Sequence, residues 1–290
     1  MDGADQSMNT SRIAVGYIAT PGGDDAVAVG EQIARTLGAH LDLCMVLPSD
    51  RSAIAPTPGD VLHREADGWL AAAAAGVRND VPVTTHLSYH ESSATGLITA
   101  AENLDAEALV VGGAGGGIAG PLSLGSVVDD LVHASPVPVV IAPRGARLDR
   151  SEKIREVTCA IGTRPGATLL LDTALRFCRA TNTPLRLVSL VAVDDDRRLT
   201  AARQHAQHAL DQAKDVLPDD VPVTSRVATG PTVEEAVNKL GWHDGDMIMV
   251  GSSRLAQPRR LFLGSTAAKM LRVLRVPMFV VPKDEGADHD

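Results

Sequence analysis

Aromatic residues are almost missing from this chain: two Trp, two Tyr and three Phe among 290 residues. Its cores must be filled by Ala, Val, Leu and Ile, a mix that suits parallel strands buried on both faces by helices. Cysteine is scarce as well. Cys44, Cys159 and Cys178 are odd in number and have no paired spacing, which excludes a disulfide framework and reads as reduced thiols used as small core residues in a cytosol. Positive charge is also in deficit. A net charge of -9 leaves no basic surface for a nucleic-acid backbone. No apolar run is long enough to cross a bilayer. The polar segment Met1 to Thr10, followed by only a short apolar stretch from Ile13 to Ala19, lacks the core of a signal peptide. These absences predict a cytoplasmic protein with neither nucleic-acid nor membrane partners.

What the chain does have is a repeat, and its length suits two domains. Residues 105–113 resemble residues 244–252, with Gly112 and Gly251 displaced by 139 positions. The same displacement relates Gly125-Ser126 to Gly264-Ser265, Val137-Pro138 to Val276-Pro277, and Pro143 to Pro282. Near the start of each copy, Pro21-Gly22 matches Pro165-Gly166 at 144. We therefore expect one domain over residues 1–146 and a second over 147–290, with 146–156 as a charged linker and 284–290 as an acidic tail.

Hydrophobic periodicity predicts alternating strands and helices in each copy. In the first, strands fall at 12–19, 41–47, 83–89, 108–111 and 137–142, and helices at 24–37, 59–77, 93–103 and 126–133. Gly38 provides a helix stop. In the second, strands fall at 157–161, 185–191, 222–228, 246–250 and 277–281, with helices at 168–180, 199–215, 232–240 and 265–274. Such alternation requires long crossovers between parallel neighbours. The fold class is α/β: two tandem doubly wound domains, each a five-stranded mostly parallel sheet with helices on both faces. The apolar last strand of each copy would leave an unpaired edge if exposed.

The segment Val111 to Ser126 follows a buried strand and opens a helix, where free backbone N–H groups meet an anion. Without a Cβ, Gly112 and Gly115 let the backbone approach a ligand, and Ser126 has a hydroxyl to offer a phosphate oxygen. A Walker loop needs a Lys before the Ser, which is absent. Gly115, Gly117 and Gly120 satisfy G-x-G-x-x-G, but after the fourth strand and with no acid about twenty residues on, so the match is accidental. The remaining pattern is G-x-x-G, nine residues, then Gly-Ser: Gly112, Gly115, Gly125 and Ser126.

With the repeat and the strand order, that spacing resembles the universal stress protein family in its tandem form, over about residues 11–145 and 155–283. The resemblance implies binding of ATP or another adenine nucleotide, with or without Mg²⁺, and no catalysis. It places Gly112 and Gly115 near ribose and phosphates, Gly125, Ser126 and Val127 on the outer phosphates, and Ile18, Ala19, Thr20 and Val46 at the strand ends that line the adenine. It also implies that the last strands join the two copies as a pseudo-dimer. Family members that bind ATP usually carry an Asp at the end of the first strand, where this chain has Ile18 and, in the second copy, Gly162. The second loop reads Gly251, Arg254, Gly264, Ser265. There Arg254, with Arg259 and Arg260, either contacts phosphate or blocks the pocket, so the first copy is the better binder.

A nucleotide-independent scaffold with decayed pockets is the alternative reading. A nucleotide hydrolase lacks a base to orient water and a loop carboxylate for Mg²⁺. His205 and His208 share a helix face, and His86 and His90 a strand face, but neither pair has an evident third ligand. The run from Asp194 to Asp196 reads as a solvated loop, and Ser92 and Ser93 as helix caps.

Overall fold

The computed structural model describes residues 11–49, 61–113, 125–149, 151–162, 168–252 and 261–282. The first copy runs β1 (Arg12–Gly16), α1 (Pro21–Leu37), β2 (His40–Pro48), α2 (Val61–Gly76), β3 (Val83–His90), α3 (Ser93–Asn103), β4 (Ala108–Gly112), α4 (Ser126–Ala134) and β5 (Val139–Ala142). The second runs β6 (Glu156–Ala160), α5 (Thr168–Thr181), β7 (Leu185–Ala192), α6 (Asp196–Asp215), β8 (Val223–Gly230), α7 (Val233–Asn238), β9 (Asp246–Gly251), α8 (Ser265–Leu271) and β10 (Met278–Val281). The fold is α/β with two tandem doubly wound halves of five strands each, as the periodicity predicts.

The halves form one ten-stranded sheet, ordered β3-β2-β1-β4-β5-β10-β9-β6-β7-β8. Neighbours within each half are parallel, and β5 and β10 meet antiparallel. At this seam Phe279 faces Val140, while Met278 faces Ile141 and Val280 faces Val139. Val140 and Phe279 are themselves 139 positions apart, so a pseudo-twofold axis passes through that pair and exchanges the other two. Each last strand thus covers the other's open edge.

Both faces of the sheet are buried, and successive residues alternate between them. Val110, Val140, Met249 and Phe279 lie in one core with α1, α2, α5 and α6. Leu109, Val139, Ile248 and Met278 lie in the other with α3, α4, α7 and α8. Each core draws on both copies, and each fully buried aliphatic side chain is worth about 1.5–3 kcal/mol against exposure. The cysteines are small buried residues, as expected.

Charge enters the sheet at matched places with opposite sign. In the first copy, buried Asp42 on β2 accepts from Arg12 Nε on β1 at 2.9 Å and lies 2.8 Å from His86 Nε2. In the second copy the positions displaced by 144 are Glu156 and Arg186, paired at 3.0 Å. The partly buried pair survives with its partners exchanged, because what this place demands is neutralisation and not a particular sign on either strand.

Several element ends differ from the periodicity-based bounds. Strand β1 stops at Gly16, because Thr20 caps α1 three residues earlier than the apolar pattern shows, with Pro21 in its first turn. Gly38 ends α1 at φ +68°. The aspartate run is not a free loop: Asp195 accepts from the Arg197 N–H at 2.9 Å and caps α6, which begins at Asp196. Strand β5 starts at Val139, since Pro138 has no N–H to donate. Helices α7 and α8 end at Asn238 and Leu271, earlier than the pattern suggests. The segment after β5 forms a 3₁₀ turn at Ala146–Leu148. Residues 284–290 lie outside the described residues.

Candidate nucleotide site at the strand ends

β1 and β4 pair in parallel from Ile13 with Ala108 to Gly16 with Val111. They are followed by helices on opposite faces: α1 packs in one core and α4 in the other. The crevice beyond the carboxyl ends of such strands is where open α/β sheets place ligands.

The β1–α1 turn is built by close backbone packing. The Thr20 N–H donates to the Ile18 carbonyl at 2.7 Å, and Thr20 Oγ1 accepts from the Gly23 N–H at 3.3 Å. A Cβ on Gly23 would overlap the Ile18 carbonyl oxygen. One on Gly112 would overlap the Gly22 carbonyl oxygen and lie 2.5 Å from its carbon. The end of β4 therefore touches the start of α1, backbone to backbone. This is a structural use for Gly112 that its spacing from Gly115 and Gly125 does not reveal.

Ile18 projects from that turn, 59% exposed and two residues past the end of β1, with Ala19 beside it. Val46 on β2 packs under α3, where Gly96 lacks the Cβ that would come within 2.7 Å of Val46 Cγ1. On the far side of the loop, Gly125 holds the N-cap of α4 in an extended conformation, φ −64° and ψ 158°, with no side-chain cap bond. Ser126 and Val127 open the first turn, whose N–H groups have no acceptor within the helix. Gly115 lies outside the described residues.

The second copy repeats the uncapped start. Gly264 caps α8 at φ −67° and ψ 160°, again without a side-chain bond, and Ser265 follows. A Cβ on Gly251 would meet only Leu170, at 3.7 Å among the described residues. Arg254, Arg259 and Arg260 lie outside those residues. The end of this loop docks on the first copy: the Leu261 N–H donates to the Ser135 carbonyl and the Leu263 N–H to the Val132 carbonyl, both at 3.0 Å. Both leucines are buried, and His133 of the first copy packs edge-on against Phe262. Ser252 holds the loop's two ends together, its Oγ accepting from the Phe262 N–H at 2.6 Å. Periodicity missed these contacts. The signal for them was Leu-x-Leu-Gly-Ser, present in both copies at 122–126 and 261–265.

A family model described as the universal stress protein family matches residues 9–143 and again residues 153–282. The chain belongs to this family. A universal stress protein of Mycobacterium tuberculosis is 26% identical over 294 residues, covering 93% of this chain and 99% of its own length. A universal stress protein of Mycobacterium bovis matches to the same extent. Among solved structures, a universal stress protein from Archaeoglobus fulgidus superposes with a TM-score of 0.61 at 17% identity, covering 93% of this chain and 98% of that one. A functionally unknown protein from Pseudomonas aeruginosa gives 0.60 at 15% identity, covering 95% and 94%. These two likenesses concern the fold.

Elsewhere in this universal stress protein the singled-out polar residues have structural partners. Ser92 Oγ accepts from the Thr95 N–H at 3.3 Å and caps α3, and His90 Nδ1 accepts from the Ser92 N–H at 3.0 Å. His205 and His208 are exposed on α6. Among the described residues no group of three or more His, Cys, Asp or Glu side chains gathers as a metal site. Burial pushes the Cys44 and Cys178 thiols up to about 12, with the Asp42 carboxylate adding to the rise at Cys44, and pushes Cys159 up as well. Such thiols are poor nucleophiles at neutral pH. Among the described residues no helix is long and apolar enough to cross a membrane.

Proposed function

We propose that this universal stress protein is a non-catalytic cytoplasmic module that binds ATP or a related adenine nucleotide, with or without Mg²⁺, chiefly in a first domain over residues 1–146. The observation that carries the reading is the uncapped start of α4 at Gly125, the first helix after the carboxyl end of β4, which pairs with β1. A helix N-terminus there offers N–H groups and the positive dipole end to phosphate. Gly112, Gly115, Gly125, Ser126 and Val127 would hold ribose and phosphates, and Ile18, Ala19, Thr20 and Val46 would border the base. The second domain, 147–290, keeps Gly251, Gly264 and Ser265 but carries Arg254 in place of the second glycine, and takes the lesser role.

A second reading has its own support. The contact of Gly112 with Gly22 explains that glycine without any ligand, and an exposed Ile18 replaces the acid usual at the first strand end. On this view the protein is a nucleotide-independent scaffold. Denaturing the purified protein, identifying released nucleotide by mass spectrometry and titrating ATP by calorimetry separates the two. About one nucleotide per chain, lost in Gly115→Arg with the melting temperature unchanged, supports binding in the first domain. Neither nucleotide nor heat from folded protein leaves the scaffold.

A further inference from the structure

Joining the copies through β5 and β10 creates a cleft of about 750 Å³ that shares no lining residue with the glycine loop. Its wall carries Arg144 after β5, Arg272 and Arg275 after α8, and Asn238, Trp242 and His243 from the α7–β9 connection. We infer that this cleft binds a small compound bearing two or more phosphoryl charges, held by Arg144, Arg272 and Arg275.

Charge supports the inference first. Two carboxylates, Asp149 and Asp244, also line the cleft, but Asp149 is already occupied. It accepts from the Ser151 N–H at 2.7 Å, the Gly245 N–H at 3.2 Å and Gln32 Nε2 at 3.5 Å. Arg272 lies 3.7 Å from Glu234. Behind the wall, Arg186 stacks on Trp242 at 5.1 Å with its charge met by Glu156 at 3.0 Å and Asp246 at 3.8 Å, so the cations open to a ligand are those on the wall itself. Cations gathered in a concave cleft of an otherwise acidic protein focus potential on an anion, and guanidinium forks match phosphate oxygens.

The wall is also held in place before any ligand arrives. Buried Asp25 accepts from the Gly145 N–H at 2.9 Å, the Arg147 N–H at 3.1 Å and Arg147 Nη1 at 2.8 Å, fixing the backbone beside Arg144. Arg275 stands between buried Leu274 and Val276. Trp242 Nε1 donates to the Val237 carbonyl at 3.1 Å.

Symmetry supplies the contrast. The pseudo-twofold axis relates it to a second cleft of about 740 Å³, where Pro136 stands in the place of Arg275 and Arg176 in the place of Gln32, while Ile33, Leu169, Phe177 and Phe279 make the lining largely apolar; Lys283, which matches Arg144, lies outside the described residues. The fold therefore requires two clefts but does not require arginines in either. Among the described residues the first cleft gathers three arginines and the second has Arg176 alone.

The test uses Trp69→Phe, which leaves Trp242 as the sole tryptophan, in the full chain. Sodium pyrophosphate is titrated while Trp242 emission is read, and calorimetry of the same samples measures binding independently of emission. We expect saturable binding, weakened at least about tenfold by Arg144→Ala with Arg275→Ala, partly restored by Lys at both positions, and unaltered by Gly115→Arg. Melting temperatures of the variants should match the parent. Absence of both emission change and heat, or binding indifferent to the double alanine variant, overturns the proposal. Tighter binding of citrate in a parallel titration would overturn the phosphoryl assignment.

Discussion

Gly112 ends β4 directly against the start of α1, so Gly112→Ala should carry a packing cost. At Gly112 the added Cβ meets backbone only: the Gly22 carbonyl oxygen in overlap, its carbon at 2.5 Å and its Cα at 3.1 Å. Backbone cannot rotate aside as a side chain does, and Gly22 is itself pinned between the Thr20 cap and Gly113, whose carbonyl oxygen lies 3.0 Å from any Cβ placed on Gly22. The start of α1 must move off β4, an overpacking cost of about 1–3 kcal/mol. For a chain of this size about 1 kcal/mol corresponds to roughly 2 °C in melting midpoint. Gly112→Ala should then melt about 2–6 °C below the parent. Calorimetric melting of the two proteins without ligand decides the matter. A midpoint equal to the parent's would falsify the claim that Gly112 is required by packing against Gly22.

Leu261→Ala removes a fully buried side chain at the contact between the copies and should cost about 2–5 kcal/mol in urea denaturation; a loss under 1 kcal/mol would mean that the second loop does not anchor there. Asp25→Ala strips the acceptor from three donors around residues 145–147 and should cost about 2 kcal/mol, with faster proteolysis in that segment as its signature. Thr20→Ala removes the α1 cap and should cost about 1 kcal/mol, read from the same denaturation curves. The thiols set an alkaline limit: with folded values near 12 for Cys44 and Cys178 against about 9 unfolded, the native state retains protons that the unfolded state releases above pH 9. Their stabilisation is full below pH 9 and falls as pH rises towards 12. The melting midpoint should decline over that range less steeply in Cys178→Ala, and native protein should resist alkylation at pH 8.

The order of strands and helices was legible because both sheet faces are buried and helices alternate with strands, so apolar runs and 3.6-residue stripes fall in turn. The repeat was legible from glycines and prolines at turns. Ends were less so. Thr20 and Pro21 formed a readable cap signal that the apolar stripe starting at Asp24 overshadowed, and Asp195 looked like one charge in a run until its bond to the Arg197 N–H made it a cap. The contact between Gly22 and Gly112 joins residues 90 positions apart, and no local pattern separates a glycine needed by a neighbouring backbone from one needed by a ligand. The exchange of Arg12 and Asp42 for Glu156 and Arg186 was hidden for a related reason. Comparison by residue identity scores it as two mismatches, whereas comparison by pairing shows one conserved interaction.

That exchange bears on how the copies diverged. A buried ion pair tolerates loss of one partner poorly, at about 3–5 kcal/mol, so sign reversal within one copy requires both strands to change together. The two copies must therefore be read pair by pair and not position by position. Applied to the ligand regions, the same rule separates what the shared scaffold demands from what one copy has acquired. Both copies keep an uncapped glycine at a helix start, so this feature serves each copy's architecture at the least. Among the described residues, the arginines of the first cleft break the symmetry without any need from the sheet. Departures that the fold does not require are where each half's separate chemistry should be sought, and among the described residues they sit in one of the two clefts that flank the β5–β10 seam.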